Sequence, residues 1–153
     1  MDQLETGDLV LFHRYPPRCC SIMCLVELCT ASDYSHTAVV VKDPQFTSPP
    51  LKGLFILESS AFEKEVDIVD NTYKFGVELV PLAERLRNYE DEGIAYYRKV
   101  DTKRDKKFYE KLSNAYHESC NATYDINPLD WIEAKLRCFC FNTQQKKTFW
   151  CSA

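Results

Sequence analysis

The hydrophobic pattern of this chain changes period several times. Leu9-Val10-Leu11-Phe12, set off by the turn around Thr6-Gly7-Asp8, reads as a first short strand, and Pro16-Pro17 ends anything regular there because proline lacks a backbone donor. From Ser21 to Thr30 the apolar residues Ile22, Leu25, Val26 and Cys29 recur at three- and four-residue steps, which predicts a helix with one buried face. Ser32-Asp33 breaks that period and leads into His36-Thr37-Ala38-Val39-Val40-Val41. Its β-branched, nearly continuous apolar run predicts a central strand covered on both faces. Asp43-Pro44 and Ser48-Pro49-Pro50 mark a surface loop that returns the chain as the strand Leu54–Leu57. The connection is too short for a helical crossover, so neighbouring antiparallel strands are expected.

Further on, Val66–Val69 and Val77–Val80 alternate, the first as an edge strand, and Pro81 opens a short helix through Leu82, Leu86 and Tyr89. Ile94–Tyr97 is another strand. Asp105 to Cys120 reads as a long helix with Phe108, Leu112, Ala115 and Tyr116 on one side and His117 toward solvent. Asn127-Pro128 is a strong start signal for a last helix carrying Leu129, Trp131, Ile132 and Leu136. The sum is a single α+β domain over residues 1–153, an antiparallel sheet meander packed by helices.

Composition narrows the class. A chain of 153 residues, 45% hydrophobic and 27% charged, suits one globular domain and excludes disorder. A net charge of -4 argues against nucleic acid or an anionic membrane as the main partner, and the basic groups at Lys103-Arg104, Lys106-Lys107 and Lys146-Lys147 read as solvated surface. Asp2, Glu5 and Asp8 are the opposite of a secretory leader, and the run Cys19–Ala31, interrupted by Glu27, is too short to span a bilayer. A soluble, intracellular protein without a transmembrane segment is expected. Without a leader, the eight cysteines are expected to be reduced thiols. A zinc site would draw on Cys20 and Cys24, Cys138 and Cys140, and His13, but only one of those pairs has ligand spacing, so no metal is expected.

The candidate chemistry lies where polar residues meet strand ends. Tyr34-Ser35-His36 puts a histidine at the mouth of the central strand, Glu58 ends the next one, and Cys151 comes near the chain end. A cysteine attacks as its thiolate, a histidine can take its proton, and a carboxylate can fix the ring and its tautomer. Taken singly, each residue has a plainer reading. His36 could be a core histidine bonded to a carbonyl, Glu58 a solvated strand end, and Cys151 an ordinary thiol.

Taken in order, Gly7-Asp8-Leu9-Val10-Leu11, Tyr34-Ser35-His36-Thr37-Ala38-Val39-Val40, Ile56-Leu57-Glu58-Ser59, Val80-Pro81-Leu82 and Trp150-Cys151-Ser152 resemble a known pattern. It is that of the circularly permuted papain-like branch of the NlpC superfamily, the YiiX/YaeF-type amidases and their relatives in large DNA viruses. The resemblance implies a permuted papain-like, NlpC-type fold with Cys151 as nucleophile, His36 as general base and then general acid, and Glu58 as orienter. It implies a thiol hydrolase that cleaves an amide, ester or thioester through an acyl-enzyme, without metal or organic cofactor. The substrate would be a small-molecule, peptide or lipid-like acyl compound, met in the cytoplasm or, for a viral protein, in the virion or host cytoplasm. Backbone N–H groups around Cys151, with Tyr34 as a further donor, would hold the oxyanion. An acyltransferase, or a non-catalytic binding or structural descendant, is the alternative on the same fold. The family continues into a helix after the cysteine, whereas this sequence ends two residues after Cys151, which leaves two readings: a chain truncated at its C-terminus, or a nucleophile on a frayed tail.

Overall fold

The computed structural model describes residues 3–15, 32–60 and 65–120. The predicted helices at Ser21–Thr30 and after Asn127, and the Cys20, Cys24, Cys138, Cys140 and Cys151 thiols, lie outside the described residues. Within them the chain forms an open five-stranded sheet and two helices in the order β1 (Leu9–Arg14), β2 (His36–Lys42), β3 (Leu54–Ser60), β4 (Gly76–Pro81), α1 (Leu82–Tyr89), β5 (Gly93–Arg98) and α2 (Lys106–Ser119). The strands lie in the order β4-β3-β2-β1-β5, with every neighbouring pair antiparallel. The first four make the expected meander, and β5 returns to the far side of β1. The mixed α+β class stands.

Strand periodicity divides the core. On one face Val10, Phe12, Ala38, Val40, Ile56 and Val80 are buried under Leu82 and Tyr89 of α1. On the other, Val41, Phe55 and Leu79 pack with Phe46, Leu51 and Leu57, and Tyr116 of α2 stacks on Phe46 at 4.5 Å between ring centroids. Full cover of β2 on both faces was expected. In the structure Thr37 and Val39 are only half-buried, and the second face closes fully at Val41. In α2 the sheltered side runs through Phe108, Leu112, Tyr116 and Ser119, while Ala115 is exposed along with His117. The Asp105 carboxylate caps this helix, accepting from the Phe108 amide at 3.0 Å.

The edge strand predicted over Val66–Val69 does not form. Buried Asp67 takes three backbone amides, those of Val69, Asp70 and Leu79, at 2.8 to 2.9 Å. Its carboxylate thus bends the chain into a turn, leaving one isolated bridge from Asp67 to Thr72 and exposing Ile68 and Val69. Local side-chain hydrogen bonding overrides the alternating pattern.

Asp8 performs the matching task at the opposite edge. It is fully buried and accepts from the Glu5 and Val100 amides at 3.0 Å and from the Tyr97 hydroxyl and Arg104 Nη2 at 2.7 Å. Burial pushes its carboxyl up, but those hydrogen bonds and the Arg104 charge outweigh it and leave the pKa below the usual value. Gly7 before it has φ +92°, and a Cβ there would lie 2.7 Å from the Phe108 ring, so both backbone and space require glycine. We expect Asp8→Ala to cost about 2–3 kcal/mol at pH 7, because charged and neutral donors lose one shared acceptor. The charge-dependent part of the stabilisation is present above the unfolded carboxyl value and is lost as pH falls through the lower folded one, so the gap in urea midpoints between native and variant chains should narrow as the pH is taken below the ordinary carboxyl value.

Candidate active site

The register of the sheet decides which polar residues meet. Pairing Val39 with Leu57 puts His36 and Glu58 on the same face, the one that α1 covers. His36 Nε2 and Glu58 Oε2 are directly paired, with only 6% and 0% of the two side chains exposed. His36 sits opposite Phe12 on β1, and the two rings lie 5.3 Å apart. An ionised carboxylate only accepts, so Nε2 carries the proton toward Glu58. Nδ1 is then the ring nitrogen able to take a proton from another group.

Glu58 is held from its other side as well. Arg85, on α1, donates through Nε to Glu58 Oε1 at 3.0 Å and is itself only 2% exposed. The guanidinium carbon lies 4.7 Å from the centre of the Phe12 ring and 5.4 Å from that of Tyr89. Arg85 Nη1 is 3.9 Å from Glu65 Oε1, and Glu65 Oε1 also accepts from Asn88 Nδ2 at 3.0 Å. Glu78 is directly across from Glu58 on β4 and is equally buried. Burial alone would raise the Glu58 carboxyl's pKa; the charge and hydrogen bond of His36, with those of Arg85, outweigh it and hold the group below its ordinary value.

Close packing brings these elements together. Gly93, at the start of β5, is where α1 and β1 approach: a Cβ there would lie 2.2 Å from the His13 carbonyl oxygen and 2.7 Å from the Tyr89 hydroxyl. Arg14 and Glu92 pair beside it and tie the end of β1 to that turn. Tyr89 thereby stays against Phe12, with 4.9 Å between ring centroids.

Of the residues singled out from sequence, His36 and Glu58 are brought into contact, and Cys151 lies outside the described residues. Tyr34, expected as an oxyanion donor, packs edge-on against Tyr96 at 5.7 Å. His13 Nδ1 meets the Asp33 carbonyl oxygen. Among the described residues no cluster of three or more histidine, cysteine, aspartate or glutamate side chains could hold a metal ion. Arg85 escaped the sequence reading, although a signal existed. It falls three residues after Leu82 and four before Tyr89, on the stripe that α1 buries, and a cation there demands an acidic partner.

No family model matches this chain, and no curated protein matches it. Among the described residues no helix is long and apolar enough to cross a membrane.

Proposed function

We propose that this chain is a cysteine hydrolase of the permuted papain-like type, with Cys151 as nucleophile, His36 as general base and Glu58 as the orienter of its ring. The observation that carries the reading is the buried pairing of His36 Nε2, at the first residue of the central strand, with Glu58. That pairing leaves Nδ1 to take the thiol proton. The thiolate then attacks the carbonyl carbon of an amide, ester or thioester, and the imidazolium returns its proton to the leaving group. Water, activated by the neutral imidazole, releases the acid and regenerates the thiol. If an alcohol or amine takes the place of water, the same steps describe an acyltransferase. Substrate class enters this reading only as an acyl compound.

The test is limited alkylation with iodoacetamide between pH 5 and 9, with each cysteine read by mass spectrometry in the full chain and in His36→Ala. At pH 6 Cys151 should label roughly tenfold faster than the other seven of the eight cysteines and lose that lead in the variant. Equal labelling in both chains would show that no thiol–imidazole pair exists and would favour a binding descendant of the fold.

A further inference from the structure

We propose that Arg85 is a positioning residue of the His36–Glu58 pair: it fixes the far oxygen of Glu58 and offsets part of the carboxylate's pull on the imidazole, so that His36 keeps its proton-accepting form at neutral pH. Glu58 divides its two oxygens, Oε2 to His36 and Oε1 to Arg85, so the carboxylate is gripped from both sides. Arg85 has little room to swing away. Its guanidinium lies over Phe12 and Tyr89, and the Phe12 ring also backs His36.

The charges around the ring explain why a cation is needed. Among the described residues, β3 contributes Glu58 and β4 contributes Glu78 on the same face. The segment before β4 contributes Glu65, α1 contributes Arg85 and Tyr89, and beyond Tyr89 stand Arg14 and Glu92, paired with each other. The deeply buried set is thus three carboxylates, Glu58, Glu65 and Glu78, with Arg85 among them. Carboxylates alone would favour imidazolium and so remove the base from service. A cation 3.0 Å from Glu58 opposes that pull while leaving the hydrogen bond to His36 in place. Arginine suits the position because its planar fork can hold a carboxylate and stack on a ring together.

The value of this device to catalysis rests on the thiol reading; its action on the ring does not. The experiment is an NMR titration of His36 in the full native chain, Arg85→Gln and Arg85→Lys. Arg85→Gln keeps a donor for Glu58 and removes the charge, and should raise the His36 midpoint by about one pH unit, tenfold in proton affinity. Arg85→Lys keeps the charge and should stay within about 0.3 unit of the native chain. An unmoved midpoint in Arg85→Gln, or an equal shift in Arg85→Lys, overturns the proposal. Should Arg85→Gln not fold, the native midpoint decides. Within one unit of the ordinary imidazole value of about 6.5 it supports the offset; further above, it shows Glu58 acting unopposed. The readout needs no reactive thiol. A silent Cys151 with the Arg85 shift intact would remove the thiol reading alone, whereas an activated Cys151 without the shift would remove only the role of Arg85.

Discussion

Glu58→Ala should destabilise the fold by about 3–5 kcal/mol at pH 7, the cost of removing one partner from a buried ionic network. The side chain itself is small in apolar area, so the loss comes almost wholly from what it leaves behind. Arg85, 2% exposed and confined by Phe12 and Tyr89, would lose its 3.0 Å partner, while its contact with Glu65 is longer, at 3.9 Å. His36 would lose the acceptor for Nε2 at the same time. Glu58→Gln should cost about half as much, because the amide oxygen still accepts from Arg85 while its NH₂ meets the ring. Since the folded-state carboxyl lies below its ordinary value of 4.5, the stabilisation is fully present above that value. It fades as pH falls through the lower folded one. Urea unfolding of native, Ala and Gln chains at pH 7, 5 and 3.5 reads both effects. The gap between native and Ala should be wide at pH 7 and 5 and narrower at 3.5. A gap below about 1 kcal/mol at pH 7 would mean that the network contributes little to holding α1 on the sheet.

The pairing of His36 with Glu58 is legible in part from the sequence. A central apolar strand and a short return loop suffice to predict antiparallel neighbours, and parity along each strand then limits which polar ends share a face. Register is the step the pattern leaves open, since a shift of one residue would have turned Glu58 to the opposite face. The structure pairs Val39 with Leu57 and removes that ambiguity. Other features were hidden for specific reasons. Arg85 lies in a helix of only eight residues, where a single charged position does little to blur an apolar stripe. Asp67 turns a strand-like alternation into a loop because its carboxylate collects amides from both its own turn and β4. Burial of Glu65 and Glu78 depends on tertiary neighbours, such as Arg85 and Asn88 of α1 beside Glu65, which composition does not encode.

Under the proposed thiol mechanism, His36→Ala should lower turnover of a small ester or amide probe about 10²–10⁴-fold at pH 7, the usual worth of a positioned general base. The substitution removes a buried ring from the first position of β2, and the Arg85–Glu58 pair still gives the carboxylate a cationic partner. The loss should depend on pH in a defined direction. A cysteine without its base ionises near its ordinary value of about 8.5, so part of the nucleophile returns on its own as the pH is raised. Native and variant rates should therefore draw together by about pH 9 for the acylation step, while deacylation, which needs the same imidazole to activate water, stays slow. A burst of leaving group followed by a slow steady state in the variant would reveal that division. Adding an amine or alcohol to the native chain then separates the two acyl-transfer outcomes. Product partitioning toward the added acceptor at millimolar concentration identifies an acyltransferase, and unchanged release of free acid identifies a hydrolase.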